Sequence, residues 1–352
     1  MNDSMRGVQS QWIKNAAGRA GDSGSWPYEK QDSAALPETL PGGAPWPRIS
    51  IVTPSFNQGR YIEQTILSVL NQAYPNVEHI IIDGGSTDET KAVLDRYRSN
   101  LAFAVSEPDK GQSNAINKGM ARATGEILTW LNSDDMLAPG ALAGVALAFH
   151  TSGADMVAGG CQLITGDKFA GQHLTSCEDG PLPLNDLLDL DGGWNAGQFF
   201  YQPEVMFRRS LWNRAGGYLS EQLFYSMDYE LWVRFAEAGA RLHVIGRPVA
   251  WFRIHTDQKT NDPNRFKAEL AQFRDSYLAR TGQTFATRPV AANPRTQMRI
   301  VLLNDLGFEY GAGLAHKRLA EALAWAGHKV FPLALRHNSS PGNGSTNTKW
   351  RL

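Results

Sequence analysis

Residues 127–135 read Ile-Leu-Thr-Trp-Leu-Asn-Ser-Asp-Asp, an apolar run that ends in two adjacent carboxylates. A run of this kind is the pattern of a strand buried on both faces, as in parallel sheets covered by helices. In open α/β sheets, ligands bind beyond the carboxyl ends of such strands. Asp134 and Asp135 would repel each other there unless a cation or hydrogen-bond donors offset the charge. A hard divalent ion, shared between one or two carboxylates and the phosphates of a substrate, is one such partner. The competing reading is a helix N-cap by Asp135, because Pro139-Gly140-Ala141-Leu142 opens a helical pattern. These residues alone leave both readings open.

The chain alternates on either side of this strand. Upstream, strands are expected over 48–53, 77–82 and 101–105, with helices over 62–71, from a Ser86 or Thr87 cap to Tyr97, and over 112–123. The 62–71 helix carries Ile62, Ile66, Leu67, Val69 and Leu70 at helical spacing. Downstream come a helix over 140–150, a strand over 155–161, an irregular Gly/Asp-rich stretch over 165–200, and a short strand over 205–207. A helix over 229–238 presents Leu231, Trp232, Phe235 and Ala238 on one face; a strand over 249–254 and a polar helix over 263–281 follow. This β-α-β-α order implies an α/β fold with a mixed, mainly parallel, Rossmann-like sheet flanked by helices.

Composition marks the boundaries. Residues 1–47 are rich in Gly, Ser, Pro and Ala without periodicity and read as a flexible N-terminal arm. The main domain is expected over 48–281, and a linker over 282–297. Ile300-Val301-Leu302-Leu303, a Gly311-Ala312-Gly313 turn into a helix, and Val330-Phe331 then give a short C-terminal β-α-β unit over 298–337. The polar tail over 338–352 is expected to be disordered. One β-α-β unit cannot cover both faces of a parallel sheet, so it must dock, pair or be a truncated domain.

The formal net charge of -1 provides no global field for nucleic acid or an acidic membrane. Cys161 and Cys177 have neither the spacing of a zinc site nor that of a disulfide framework. No apolar run approaches the ~20 residues of a membrane span, and no apolar signal region follows the N-terminus. The expectation is a cytoplasmic protein, with room for peripheral association at the inner face of the plasma membrane.

Several motifs in order resemble family 2 glycosyltransferases of the GT-A fold, over about residues 48–260. They are Ser50-Ile51-Val52-Thr53-Pro54-Ser55-Phe56-Asn57; Glu63, Ile66, Ser68, Val69 and Gln72; and Ile81-Ile82-Asp83-Gly84-Gly85-Ser86-Thr87-Asp88. Asp109-Lys110-Gly111-Gln112-Ser113, Leu131-Asn132-Ser133-Asp134-Asp135 and Asp228-Tyr229-Glu230-Leu231-Trp232 complete the series. Each is weak by itself, whereas the order and spacing together are specific.

The resemblance implies a transferase that moves a sugar from a nucleotide-diphosphate donor to a glycan, lipid-linked or protein hydroxyl, with inversion, in surface polysaccharide or glycoconjugate synthesis. It places Pro54, Ser55, Phe56, Asn57, Asp83, Asp109, Lys110, Asn132 and Ser133 at the nucleotide-sugar. It also places Mn²⁺ or Mg²⁺ on Asp134 with His255, and the general base at Asp228. Asp228 also suits the cap of a helix starting at Tyr229, and Asp83 an Asx turn ahead of Gly84-Gly85. Lys259 and Arg253 suit either phosphate contact or solvent, and Trp194 and Gln202-Pro203-Glu204-Val205 lie on the family's acceptor side.

The sequence departs from the family pattern twice. Asn132 replaces the first acid of the DxD site, leaving one charged metal ligand there; Gly84 replaces an Asp that helps bind uracil, leaving UDP-, dTDP- and GDP-sugars open. These departures keep alive a nucleotide- or glycan-binding module with lost catalysis. A nucleotidyltransferase is the other alternative, although Pro54-Ser55-Phe56-Asn57-Gln58-Gly59 lacks the Gly-rich basic loop of that class. Finally, Gly311-Ala312-Gly313 with Ala315-His316-Lys317-Arg318-Leu319 resembles the start of a GT-B glycosyltransferase, read as a fragment without its own activity.

Overall fold

The computed structural model describes residues 26–28, 36–166, 168–194, 196–287, 299–304, 329–337 and 348–351. The chain divides into two compact units, Met1–Arg288 and Pro289–Leu352.

In the first unit the order begins β1 (Ile49–Ser55), α1 (Gly59–Leu70), β2 (Val77–Asp83), α2 (Thr90–Tyr97), β3 (Phe103–Ser106), α3 (Gln112–Met120) and β4 (Ile127–Trp130). It continues β5 (Met136–Leu137), α4 (Ala141–Ser152), β6 (Met156–Thr165), β7 (Lys168–His173), β8 (Gly180–Pro181) and α5 (Leu184–Leu188). It closes with β9 (Val205–Arg208), α6 (Arg209–Arg214), α7 (Met227–Glu237), β10 (Arg241–Arg253) and α8 (Pro263–Thr281). The sheet runs β3-β2-β1-β4-β9-β6-β10-β5, with β7 on β6 and β8 on β10. Strands β3, β2, β1 and β4 are mutually parallel, whereas β9 is antiparallel to both β4 and β6.

Alternate residues of the central strands enter different cores, as strand geometry requires. Val52, Ile80, Leu128 and Trp130 pack with Trp232 and Phe235 on one face. Ile49, Ile51, Ile127 and Leu131 pack with Leu142 and Phe149 on the other. Ile62 and Ile66 of α1 are fully buried with Ile81, Val93 and Leu94. Each such side chain contributes roughly 1.5–3 kcal/mol by burial. The strand order reverses between β1 and β4, because β2 and β3 are added on one side of β1 and β4 on the other. The carboxyl ends of β1 and β4 flank this reversal, which is where open α/β sheets place their ligands.

Several expected elements differ. The strand expected over 249–254 starts at Arg241, because two irregularities around Pro248 absorb Gly246 and Pro248 without ending it. The stretch expected to be irregular holds β7, β8 and α5. Part of the expected N-terminal arm is packed: Leu40 and Trp46 are buried in the core beside β1, and Trp46 Nε1 donates to the Pro37 carbonyl at 2.9 Å. Trp26 Nε1 likewise donates to the Leu137 carbonyl at 3.0 Å. These large apolar anchors outweigh the polar composition around them. At the expected linker, Asn185 exchanges two hydrogen bonds with the backbone of Ala286.

In the second unit, β11 (Arg299–Asn304) and β12 (Lys329–His337) are parallel, and β13 (Thr348–Arg351) is antiparallel to β12. The expected disordered tail therefore contains a strand, consistent with the strand preference of Thr348 and Trp350. The expected helix between β11 and β12, and the GT-B-like residues 311–319, lie outside the described residues. Among the described residues, no helix is long and apolar enough to cross a membrane.

Candidate active site

A cleft of about 800 Å³ opens beyond the carboxyl ends of β1 and β4. Pro54, Ser55 and Phe56 reach it from β1, and Asn132, Ser133, Asp134 and Asp135 from the turn after β4. Asp109, Gly111 and Gln112 enter at the start of α3, Asp228 and Trp232 from α7, and Gln258 and Lys259 from the segment before α8.

The two adjacent carboxylates have separate roles. Asp135 is 1% exposed; its Oδ1 accepts the Arg253 backbone N–H at 3.0 Å and its Oδ2 the Asn132 amide at 3.3 Å. Burial, then the charge of Asp134, push its carboxyl well above the usual range. The two-residue strand β5, paired with β10 at Met136↔Trp251, holds this arrangement in register. Asp135 does not cap the following helix, whose N-cap is Gly140. Asp134 is left facing the cleft, with His255 Nε2 2.9 Å from its Oδ2. The Arg253 guanidinium is buried, donating to the Asp134 carbonyl and to Gln64, so it fixes the turn and faces neither solvent nor the cleft.

Asp134 and His255 bring one carboxylate and one imidazole to a single point. That donor set suits Mn²⁺ or Mg²⁺ when substrate phosphates complete the shell. Among the described residues, no group of three or more His, Cys, Asp or Glu side chains could hold a metal unaided. Asn132 adds no charge; its Oδ1 accepts from Gln112 Nε2 at 2.8 Å.

Of the other expected nucleotide residues, Pro54, Ser55, Phe56, Asp109, Asn132 and Ser133 line the cleft, whereas Asn57, Asp83 and Lys110 do not. Asp83 is fully buried, and its two oxygens accept from the Ser86 backbone, the Ser86 hydroxyl and the Ser106 hydroxyl. Its carboxylate is consumed in bracing the loop after β2. Asn57 is likewise occupied: its N–H donates to Ser86 Oγ at 2.7 Å and its Oδ1 accepts from Thr87 N at 2.9 Å. Lys110 is exposed. Asp109 takes a distinct place. A Cβ built on Gly84 would lie 2.9 Å from Asp109 Oδ2, so this carboxylate occupies the space over the glycine.

Asp228 lies in the first turn of α7, whose N-cap is Ser226. Glu269 of α8 accepts from the backbone N–H groups of Phe224, Tyr225 and Ser226, anchoring the loop that aims this turn at the cleft. Burial pushes the Asp228 carboxyl up to about 6, opposed by the Tyr229 N–H and the Lys259 charge. Lys259 is pushed down to about 8 by its own burial, against the pull of Asp228 and Glu269. Its ammonium donates to Gln112 at 3.0 Å and lies 4.0 Å from the Phe224 ring centre. A carboxylate poised near neutrality with a cation beside it can accept a proton and stabilise an anion in one cleft.

The sequence reading left Lys259 undecided and missed Trp130, Trp232 and Gln112 as cleft residues. Gln112 and Trp232 sit inside quoted motifs and Trp130 inside the apolar run before Asn132, but the two tryptophans read as core.

Residues 50–214 match the family model described as "Glycosyl transferase family 2". An uncharacterized glycosyltransferase of Nostoc sp. is 33% identical over 144 residues, covering 40% of this chain and 44% of the relative. A Bacillus subtilis glycosyltransferase whose name refers to teichuronic acid biosynthesis is 40% identical over 92 residues, covering 25% of this chain and 36% of that protein. The chain thus spans less than half the length of these relatives. Among solved structures, residues 1–349 of S. aureus TarS in complex with UDP-GlcNAc superpose with a TM-score of 0.52 at 18% identity, covering 66% of this chain and 71% of that one. The fold is therefore the GT-A type that the sequence resemblance implies, and residues 50–214 carry the likeness to family 2 glycosyltransferases. The matches lend no support to the GT-B-like reading of residues 311–319.

Proposed function

We propose that the cleft is the active site of an inverting glycosyltransferase acting in cell-surface polysaccharide synthesis, with Asp228 as general base. The observation that carries the proposal is the placement of a carboxyl with a value of about 6 at the N-terminus of α7, lining the same cleft as Asn132 and Asp134 beyond β4. The family match and the names of the relatives support the reaction class.

The nucleoside diphosphate lies along the ends of β1 and β4, between Ser55, Phe56 and Asp109 on one side and Asn132 and Ser133 on the other. The acceptor hydroxyl attacks the anomeric carbon from the face opposite the diphosphate. A carbon–oxygen bond to the acceptor forms as the bond to the phosphate oxygen breaks, and the hydroxyl proton passes to the Asp228 carboxylate. Lys259 offsets the negative charge that develops on the departing diphosphate. A divalent ion held by Asp134 and His255 would add to that stabilisation.

A panel of UDP-, GDP- and dTDP-sugars, assayed for turnover with and without Mn²⁺, tests the reaction class. Turnover of at least one donor supports it, and binding without any turnover favours the binding-module alternative.

A further inference from the structure

Among the described residues, Lys259 is the single cation lining the cleft. Two carboxylates attract it, Asp228 and Glu269. Glu269 is already occupied: its oxygens accept from the backbone N–H groups of Phe224, Tyr225 and Ser226 and from the Ser226 hydroxyl. Asp228 is open by comparison, with the Tyr229 N–H on its Oδ1. A mobile ammonium beside an open carboxylate in a sheltered cleft would close onto it as an ion pair. Lys259 instead donates to Gln112 Oε1 at 3.0 Å.

Gln112 opens α3 and lines the cleft. Its two amide atoms face different elements. Oε1 accepts from Lys259, and Nε2 donates to Asn132 Oδ1 at 2.8 Å. Asn132 Nδ2 in turn donates to Asp135 Oδ2 at 3.3 Å. An ammonium can only donate, so Gln112 turns its oxygen to Lys259 and its nitrogen to Asn132. Asn132 then turns its oxygen to Gln112 and its nitrogen to Asp135. The direction of both amides is set by the ammonium at one end and the carboxyl at the other. The same chain accounts for Asn at position 132. An Asp there could not donate to Asp135 and would add its charge to those of Asp134 and Asp135. The Phe224 ring, centred 4.0 Å from the ammonium, attracts it without a directional bond, so Gln112 sets where it points.

We propose that Gln112 is a positioning residue that holds the Lys259 ammonium towards Asn132 and away from Asp228. The proposal rests on the glycosyltransferase reading above, in which Lys259 offsets charge on the departing diphosphate and Asp228 takes the acceptor proton. An ion pair between the two would disable both, because the cation would be neutralised and the carboxylate would lose basicity. The Gln112 amide is uncharged, so it holds the cation without neutralising it. A carboxylate in its place would cancel the charge that the diphosphate needs.

Titration calorimetry on the full chain, with UDP, GDP and dTDP as probes, tests this through a double-mutant cycle. Lys259→Met should weaken the nucleoside diphosphate that binds by roughly 10-fold, and Gln112→Met, which keeps side-chain length and packing, by roughly 5-fold. The double variant should bind no more than about twofold more weakly than Lys259→Met alone, since Gln112 acts through Lys259. Gln112→Leu repeats the cycle with a second side chain, and melting curves establish that the variants are folded. Additive losses, or unchanged affinity in both Gln112 variants, would overturn the proposal. The pH profile of donor turnover gives a second readout, because Lys259 and Glu269 are the charges facing Asp228 and Glu269 is the same in every variant. In Gln112→Met, Lys259 should swing onto Asp228 and move the acid limb of kcat/KM downward, opposite to the upward move expected for Lys259→Met. An acid limb that stays in place or moves upward would overturn the proposal. Failure of every nucleoside diphosphate to bind the unaltered protein would overturn the proposed function itself, and the role of Gln112 with it.

Discussion

The Asp109 carboxylate lies over Gly84, with Oδ2 only 2.9 Å from where a Cβ on that glycine would stand. The two residues come from different loops, after β3 and after β2, and both line the cleft. The glycine that departs from the family's acidic pattern thus makes room for a carboxylate delivered from elsewhere. The Gly111 N–H, donating at 2.7 Å, holds Asp109 Oδ1 in place and leaves the carboxylate beside the expected nucleobase.

Asp109→Ala is therefore expected to weaken nucleoside diphosphate binding by roughly 10-fold, the loss of one charge-assisted hydrogen bond. Gly84→Ala should produce a smaller loss by displacing the same carboxylate, with little change in melting temperature. Calorimetry on the two variants checks this, and unaltered affinity in both would remove Asp109 from the nucleotide site.

The rate should follow a bell-shaped pH profile. Asp228 acts deprotonated, so kcat/KM should rise as pH passes about 6. Lys259 acts protonated, so it should fall as pH passes about 8. The charges facing Asp228 are Lys259 and Glu269, of which Lys259 holds it down. Lys259→Met should accordingly abolish the alkaline limb and move the acid limb upward. Initial rates from pH 5 to 9 measure both effects.

Glu204 imposes a pH dependence on stability. It is fully buried, with His173 Nδ1 3.0 Å away, and burial raises its carboxyl from an ordinary value of 4.5 to about 7. The folded protein therefore holds this proton more tightly than the unfolded chain. Stability falls as pH rises through the window from 4.5 to about 7. Glu204→Gln should flatten that fall by roughly 1–3 kcal/mol. Chemical denaturation at pH 4.5, 6 and 8 provides the comparison.

Removing the metal-side carboxylate should uncouple nucleotide binding from divalent cations. Mn²⁺ or Mg²⁺ should strengthen nucleoside diphosphate binding to the unaltered protein. Asp134→Ala should abolish this enhancement, because Asn132 supplies no charge in its place. Titrations with the cation and with a chelator distinguish the cases, and an enhancement that survives Asp134→Ala would place the ion elsewhere.

The parallel half of the sheet was legible because its strands are buried on both faces and read as unbroken apolar runs, as in Ile80-Ile81-Ile82 and Ile127-Leu128. Legibility ended where tertiary pairing decides structure. Met136 and Leu137 become a strand only because β10 lies beside them, and the N-terminal half of β10 contains Gly246 and Pro248, which locally read as breakers. In the site, motif and position singled out Asp134 and Asp228, and both line the cleft. Asp83 carries two readings in the sequence, nucleotide contact and a local turn, because a buried carboxylate braced by serines has the same sequence signature as one facing a ligand; its bonds to Ser86 and Ser106 fit the turn. Trp130 and Trp232 were opaque because one side chain serves as both core and cleft wall.

The central claim is that Asp228 removes the acceptor proton. Asp228→Asn keeps the shape and the hydrogen-bonding capacity of the side chain while removing its basicity. The decisive measurement pairs the transfer rate to a competent acceptor with donor affinity by titration, both on this variant. The account predicts a rate loss of roughly 10²–10⁴-fold with donor affinity nearly unchanged. Transfer at near the original rate would place the base elsewhere, with Glu230 the next carboxyl on α7, and a joint collapse of rate and donor affinity would make Asp228 a donor ligand or a structural residue instead.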